Sequence, residues 1–286
     1  MSNEIKFVGL HAHSVFSVFD GLGFPNEHID YAVENGMDAL ALTDHGNMNG
    51  LSYQVLHSKK LQKEGKNFKP IYGIEGYFID SITKWREEKA EIDKNKKGRK
   101  KEENSAVVIE DEIATKRQEK NILNRRAHLV LLVQNQTGLN NLFTIVSKSF
   151  DPNNFYRYPR IDYDMLREHN EGIIVSSACM GGPLSKDYWN NREEGDDAVQ
   201  RAMVETIENF TSIFGDRFYG ELQWNSIPEQ HEINKHIIKA AKKTGIKLIS
   251  TADSHYPRPE LFKDRELYKQ LGWLGKAKPA YAEPIL

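Results

Sequence analysis

The 286-residue sequence lacks several features that would assign it to a class of protein at once. It contains a single cysteine, so no intrachain disulfide can form, and a cytoplasmic protein is expected. No run of roughly 18 apolar residues could cross a membrane, and residues 1–6 do not have the basic and apolar regions of a signal peptide. The formal net charge is −2, so any basic surface that binds nucleic acid must be local.

The order of apolar and amphipathic segments predicts one large α/β domain. Apolar runs typical of buried strands alternate with segments of helical periodicity, and this alternation is typical of a parallel sheet. The predicted strands are 7–10, 39–46, 69–78, 127–133, 172–179, 218–223 and 247–255. The predicted helices are 25–36, 51–63, 140–148, 196–214 and 230–244.

Two segments depart from this alternation. Residues 81–126 have weak apolar periodicity and carry charge of both signs, including a basic run at 94–101 and an acidic patch at 110–112. We predict a solvated or disordered insertion here. A phosphate-contacting arm is the alternative, which the mixed charge makes weaker. Residues 155–160 are predicted to form an aromatic and basic loop.

Side chains that bind transition metals fall at or just beyond the ends of four predicted strands. His11 and His13 project together, because residues i and i+2 of a strand point to the same face. Asp253 and His255 repeat this pattern at the last strand. The carboxyl ends of parallel strands meet at one edge, so we expect these side chains to converge. The six residues are His11, His13, His45, Cys179, Asp253 and His255.

Three further residues extend this candidate site. Glu75 lies inside an apolar strand, where an unpaired charge is costly unless a cation neutralises it. His128 lies near the start of the fourth strand, with a satisfied core histidine as its alternative. Asp20 lies on a loop shortly after His13, and its alternative is an ordinary turn aspartate. For Cys179, the alternative is a small buried hydrophobic residue. Asp44 is expected to turn away from the site and to support a neighbouring ligand.

Nine candidate ligands are more than one ion needs, so two or three divalent ions are expected, with Glu75 as a bridge. Nitrogen, oxygen and a single sulfur donor favour Zn, Mn or Fe over Ca or Mg. Clustered divalent ions suit the hydrolysis of phosphate esters. The sequence has neither a GxxxxGK[ST] phosphate loop nor a GxSxG nucleophile elbow, so the ions are expected to carry the chemistry.

These motifs resemble, in chain order, those of the PHP (polymerase and histidinol phosphatase) domain. They are His11–Ser14, 42–47, 73–75, His128, Cys179 and 253–255. Further stretches resemble the version at the N-terminus of bacterial C-family replicative polymerases, the DNA polymerase III alpha subunit. Those stretches are 40–48, 158–162, 221–223 and 227–230.

The resemblance implies an α/β fold, a distorted seven-stranded (β/α) barrel of TIM-like type. It implies a PHP domain over residues 1–262 with the insertion at 81–126, and then the start of a linker at 263–286 toward a polymerase core. It also implies three metal positions. The first is held by His11, His13, Glu75 and Asp253, the second by Glu75, His128 and Cys179, and the third by Asp20, His45 and His255.

The function implied by the resemblance is that of a metal-dependent 3′–5′ exonuclease acting on DNA ends. No polymerase activity is expected from this chain alone, and no membrane is involved. The implied partners are DNA, a polymerase core in the same subunit or in a separate chain, and other replisome subunits. A non-catalytic module that supports the polymerase and a free-standing phosphatase of the histidinol-phosphate type are the alternatives. The implied catalytic residues are His11, His13, Glu75, His128, Asp253 and His255.

Overall fold

A computed structural model describes residues 7–99 and 109–272 of the chain. The strands within these ranges are β1 Ala39–Leu42, β2 Lys69–Phe78, β3 Ala127–Val133, β4 Phe155–Tyr156, β5 Tyr158–Ile161, β6 Ile173–Ser176, β7 Phe218–Gln223 and β8 Lys247–Thr251. The α-helices are α1 Pro25–Glu34, α2 Leu51–Lys63, α3 Ile82–Arg99, α4 Ile109–Leu123, α5 Gln136–Ser149, α6 Tyr163–Glu168, α7 Pro183–Asn191, α8 Asp196–Phe214, α9 Pro228–Thr244 and α10 Phe262–Leu271. None of the helices in the described ranges is long and apolar enough to span a membrane.

The strands form one mixed sheet that curls toward a barrel. Its order is β4-β5-β2-β3-β6-β7-β8, and β1 pairs with β2. The opening segment joins the two ends, because Gly9 bridges Leu40 of β1 and Ala12 bridges Ser254 beyond β8. Seven extended segments, namely this opening segment with β1, β2, β3, β6, β7 and β8, therefore follow one another around a ring. The predicted distorted seven-stranded barrel is confirmed.

The sheet differs from the prediction in its opening segment and in the direction of one strand. The opening apolar run makes isolated bridges rather than a regular strand. Strand β3 is antiparallel to both β2 and β6, so the sheet is not purely parallel. This reversal has a direct consequence for the site, because the beginning of β3 lies at the end of β2. His128 is accordingly paired with Tyr77, two residues beyond Glu75.

The core lies between the outer face of the sheet and the helices that cover it. Helix α8 packs Met203, Ile207 and Phe210 inward, at the helical spacing visible in the sequence. The ring of Phe210 stacks on Phe218 of β7, with 4.8 Å between ring centroids. Burial of these large side chains holds α8 against the strands, and each contributes about 2–3 kcal/mol through the hydrophobic effect.

The described part of the predicted insertion is solvated but not disordered, because it forms α3 and α4 and most of its described side chains are exposed. Trp85 of α3 is buried, and its indole N–H donates to the carbonyl of Ile122 in α4 at 3.2 Å. A few large apolar side chains therefore fix two helices whose other positions are mostly charged. The basic run at 94–101 extends into residues 100–108, which lie outside the described residues.

The predicted loop at 155–160 is instead the hairpin of β4 and β5. Arg160 of β5 is fully buried, and its guanidinium stacks over the Trp85 ring at 4.2 Å from the centroid. The same guanidinium donates to the carbonyls of Leu123 and Tyr158 at 2.5 and 3.1 Å. One arginine thus joins the hairpin to both insertion helices, which explains why a segment of loop-like composition is ordered.

Candidate metal centre

The nine predicted ligand residues lie together at one end of the barrel. They come from the opening segment, the loop after β1, the middle of β2, the start of β3, the loop after β6 and the segment after β8. Their ligand atoms form three groups, and within each group all the ligand atoms lie within 4.8 Å of one another. The groups are His11, His13 and Asp253; Glu75, His128 and Cys179; and His13, His45 and His255.

The first group is buried around the carboxylate of Asp253. Its Oδ1 lies 3.3 Å from Nε2 of His11 and 3.3 Å from Nε2 of His13. Oε2 of Glu75 lies 3.2 Å from Nε2 of His13. Asp253 has a φ of 51°, a left-handed conformation that is strained for a residue with a side chain. The backbone after β8 therefore bends sharply to direct this carboxylate at the two imidazoles.

The second group is formed by Glu75, His128 and Cys179. Oε1 of Glu75 lies 2.7 Å from Nδ1 of His128 and 3.7 Å from Sγ of Cys179. The sulfur lies 3.5 Å from the same imidazole nitrogen. Ala178, immediately before the cysteine, also has a left-handed φ of 55°. Strained backbone thus precedes or occupies a ligand position in both groups.

The third group contains His45 and His255, with Asp20 beside them. Oδ2 of Asp20 lies 3.0 Å from Nε2 of His45 and 3.2 Å from Nε2 of His255. The ring of His13 lies between these two imidazoles, at 4.3 and 4.6 Å between centroids. Nδ1 of His45 is 2.8 Å from Oε2 of Glu75, so this carboxylate contacts residues of all three groups.

A buried glutamate that the sequence analysis did not assign to the site orients His11. Oε1 of Glu221, on β7, lies 2.7 Å from Nδ1 of His11. The carboxylate also accepts from the hydroxyls of Ser176 and Thr251, each at 2.5 Å. A carboxylate on one ring nitrogen fixes the tautomer in which the other nitrogen is free to bind a metal. Glu221 has the same signal in the sequence as Glu75, because each is an acidic residue inside an apolar strand.

Asp44 orients His13 through a serine. Its Oδ1 accepts from the hydroxyl of Ser17 at 2.7 Å, and that hydroxyl lies 3.0 Å from Nδ1 of His13. The Ser14 hydroxyl donates to Oδ2 of Asp44 at 2.8 Å. The Ser17 hydroxyl donates its hydrogen bond to the carboxylate, so its oxygen is left to accept from Nδ1–H of His13. Nε2 of His13 then carries no proton and faces Asp253 and His11.

The five other histidines of the chain lie outside the three groups. One of them, His28, is buried, and its Nε2 lies 2.9 Å from the Leu22 carbonyl. Burial lowers the pKa of His28 to about 4. His57 interacts with Asp30 at 2.6 Å on the helical layer. The remaining three are His169, His231 and His236.

The electrostatics of the site are dominated by close imidazole–carboxylate contacts. Burial would raise the pKa of Glu75, but the imidazoles of His128 and His45 hold it well below its ordinary value. Burial would lower the pKa of His11, but the carboxylates of Asp253 and Glu221 raise it well above the usual range. Without metal, protonated imidazoles thus neutralise the carboxylates, and metal binding must displace the protons from the imidazoles.

The donor set fits divalent metal ions. Four buried ligand atoms make no hydrogen bond, although each lies close to other ligand atoms. Such atoms are costly unless something binds them. Two ligands of one ion, each about 2.1 Å from it at a tetrahedral angle, lie roughly 3.4 Å apart, close to the spacings in the first group. The four atoms are Nε2 of His11, Nε2 of His13, Nδ1 of His45 and Oδ1 of Asp253.

The fold and the site together define an α/β barrel protein with a candidate multi-metal centre. The model of the PHP domain family matches residues 9–225, and the chain belongs to this family, as its motifs predicted. It is 36% identical over 255 residues to a DNA polymerase III subunit alpha from Aquifex aeolicus, covering 89% of this chain and 18% of the relative. Identity to that of Borreliella burgdorferi is 33% over 260 residues, covering 91% and 19%. The chain thus spans about a fifth of the length of these relatives.

Similarity to solved structures is more distant in sequence. An amidohydrolase from Chromobacterium violaceum, with bound sulfate and no metal, is 14% identical with a TM-score of 0.46, covering 91% of this chain and 96% of that one. A histidinol phosphate phosphatase from Lactococcus lactis, in complex with zinc, L-histidinol and phosphate, is 15% identical with a TM-score of 0.38, covering 94% and 95%.

Proposed function

We propose that this chain is a metal-dependent phosphoesterase that removes nucleotides from DNA 3′ ends within a replicative DNA polymerase. The observation that carries the proposal is the convergence of nine ligand-type side chains, eight in the three groups and Asp20 beside them, with four buried ligand atoms that make no hydrogen bond. Membership of the PHP domain family supports phosphoesterase chemistry. Similarity to DNA polymerase III alpha subunits supports DNA as the substrate and a polymerase core as the partner.

Two or three divalent ions, Zn, Mn or Fe, would be held by the three groups. His11, His13 and Asp253 would hold the first, with Glu75 shared, because its two oxygens face different groups. When bound, such ions supply an acidified water and neutralise charge on the phosphoryl oxygens. The second position is that of Glu75, His128 and Cys179, and the third is that of His45 and His255 with Asp20.

The protein's own contribution is to aim the ligand atoms inward. Glu221 holds a proton on Nδ1 of His11, and the Asp253 carbonyl, 2.7 Å from Nδ1 of His255, does the same there. The Nε2 atoms of both rings are then free to bind. Because these supports belong to the folded chain itself, the ligand geometry is set before any substrate arrives.

An arginine at the rim of the site favours the proposal that the substrate is an anion. Arg126 lies two residues before His128, and its guanidinium stacks over Tyr158 at 3.9 Å and lies 5.7 Å from the centroid of Tyr77. Its Nε is buried and makes no hydrogen bond. The ring of Tyr77 in turn lies 5.9 Å from that of His45 and 5.7 Å from that of His128. A cation between aromatic rings beside the ligands suits a phosphate with a stacked base.

The test is a substrate panel. The chain, stripped of metal and reloaded with Mn²⁺ or Zn²⁺, is incubated with 5′-labelled single-stranded and primed DNA, and separately with histidinol phosphate. We expect metal-dependent shortening of DNA from the 3′ end. Asp253→Asn and His255→Ala should abolish it. The exposed His231→Ala, which removes an imidazole outside the three groups, should retain it.

Other outcomes select the alternatives. Hydrolysis of histidinol phosphate without shortening of DNA would replace this proposal with a small-molecule phosphatase. A chain that binds its metals and hydrolyses neither substrate would be a non-catalytic module that supports the polymerase. Shortening that survives both substitutions would show that the assigned residues are not the active site.

A further inference from the structure

Arg265 of helix α10 binds the loop that carries Asp20. Nη2 of Arg265 donates to Oδ1 of Asp20 at 2.5 Å, and Nε of the same side chain donates to the Asp20 carbonyl at 2.9 Å. Both side chains are largely shielded from solvent, with 15% and 33% of their surface exposed. The two residues are 245 positions apart in sequence, so the contact links the start of the chain to the helix that follows the barrel.

The two carboxylate oxygens of Asp20 face opposite directions. Oδ1 is taken by Arg265, whereas Oδ2 lies within 3.2 Å of Nε2 of both His45 and His255. Because Arg265 donates both to Oδ1 and to the main-chain carbonyl of Asp20, the carboxylate has little freedom to rotate. Arg265 therefore fixes the orientation in which Asp20 presents its other oxygen to the third group.

Helix α10 has ten residues, none of which is buried, and Leu267 and Leu271 are mostly exposed. A helix of this length is not stable by itself in water. Tyr268 also contacts this loop, because its hydroxyl accepts from the Phe19 N–H at 3.1 Å and its ring centroid lies 5.8 Å from that of Phe19. Phe19 has a left-handed φ of 65°, so the loop that carries Asp20 is itself strained.

We propose that Arg265 is a positioning residue for Asp20, and that docking of α10 is linked to metal binding by His45, His255 and Asp20. The linkage is reciprocal: an ion that binds Oδ2 of Asp20 fixes the loop and favours the docked helix, and the docked helix favours binding of that ion. This inference rests on the metal binding of the proposed function and does not require DNA hydrolysis.

The test compares Arg265→Ala and Arg265→Lys with Arg258→Ala, which removes an arginine from an exposed ion pair with Glu34. Each 286-residue chain is stripped of metal and titrated with Zn²⁺, and the bound ions are counted. Hydrogen exchange of the α10 amides is followed with and without Zn²⁺. Thermal unfolding of the metal-free proteins checks that each variant is folded.

We expect Zn²⁺ to slow exchange in α10 of the wild type and of Arg258→Ala. In Arg265→Ala, one ion should bind roughly 10- to 100-fold more weakly while the others are retained, and Zn²⁺ should no longer protect α10. Arg265→Lys should recover part of the affinity for this ion and part of the protection of α10, because an ammonium can bind one of the two Asp20 oxygens but not both.

Equal Zn²⁺ binding by Arg265→Ala and the wild type, or exchange in α10 that does not respond to Zn²⁺ in the wild type, would overturn the inference. A wild-type chain that shows the linkage but leaves DNA intact would contradict only the proposed exonuclease function. A chain that shortens DNA without metal-dependent protection of α10 would contradict only the linkage.

Discussion

Oε1 of Glu221 lies 2.7 Å from Nδ1 of His11, on the side of the imidazole that faces away from Asp253. Both residues are fully buried, and the hydroxyls of Ser176 and Thr251 hold the carboxylate from behind. A charge in this position would be costly by itself. It is tolerated because it orients an imidazole that must present its other nitrogen to the metal centre.

Glu221→Gln should therefore weaken metal binding without unfolding the protein. The amide keeps the shape of the side chain but removes the charge that makes His11 a stronger ligand, so affinity at the first position should fall roughly 10- to 100-fold. Isothermal titration of the metal-free chain with Zn²⁺ measures this. The exposed Glu229→Gln on α9 is the matched control, and equal affinities in the two variants would refute the orienting role.

Cys179→Ser should change which metal the site prefers. A thiolate is a soft ligand that favours Zn²⁺ over Mn²⁺, and a hydroxyl lacks this preference. Burial, with the nearby carboxylates of Glu75 and Asp253, raises the pKa of the Cys179 thiol well above its usual value, so binding at the second position must also release the thiol proton. The ratio of Zn²⁺ to Mn²⁺ affinity should fall in the variant. An unchanged ratio would mean that the sulfur is not a ligand.

The metal-free protein should lose stability as the pH rises above neutral. Burial would lower the pKa of His45, but Glu75 and Asp20 raise it to about 10, above the unfolded value of about 6.5. Its stabilising contribution is complete below about pH 6.5 and is lost as the pH rises toward 10. Urea unfolding in the presence of a chelator should show this decline. The decline should be smaller in His45→Gln, and an identical pH dependence in both proteins would contradict this account.

Arg126→Ala should weaken DNA binding more than it slows catalysis. Removing the cation at the rim should raise KM for DNA with a smaller change in kcat, and it should reduce the salt dependence of binding by about one ion. Arg126→Lys should recover much of the charge but not the stacking on Tyr158. Arg125→Ala, which breaks an ion pair with Glu88, is the neighbouring control. If both alanine variants behave alike, Arg126 does not contact the substrate.

Arg160→Met should destabilise the fold while leaving the bound metals in place. The buried guanidinium satisfies main-chain carbonyls of the hairpin and of the insertion, and an apolar side chain would leave them without a donor. We expect a loss of roughly 2–4 kcal/mol in the free energy of unfolding. Urea denaturation measures this, with the exposed Arg167→Met as control. A loss no larger than that of the control would show that Arg160 does not hold the insertion.

Much of the barrel is predictable from local sequence because its elements carry strong local signals. The bounds of β2, β3, α2 and α8 agree with their apolar periodicity. The direction of β3 has no such signal, since an apolar strand has the same composition in either direction. His128 nevertheless arrives at the right edge, because a reversed strand begins where its neighbour ends.

The remaining features depend on tertiary contacts. The insertion helices have few apolar residues, and their order depends on Trp85 packed against Arg160, a residue far along the chain. Glu221 could have been recognised, because it shares with Glu75 the pattern of an acid in an apolar strand. Arg265 gives no local signal at all. Its role depends on a helix returning to a loop at the other end of the sequence.

The most direct test of the central claim is the rate at which the metal-free chain shortens 5′-labelled DNA as Mn²⁺ is added stepwise, with bound ions counted at each step. We predict no shortening of DNA without metal, a rate that rises as the ions bind, and no rise in Asp253→Asn. A chain that binds two or more ions and leaves the DNA 3′ end intact at every step would contradict the account.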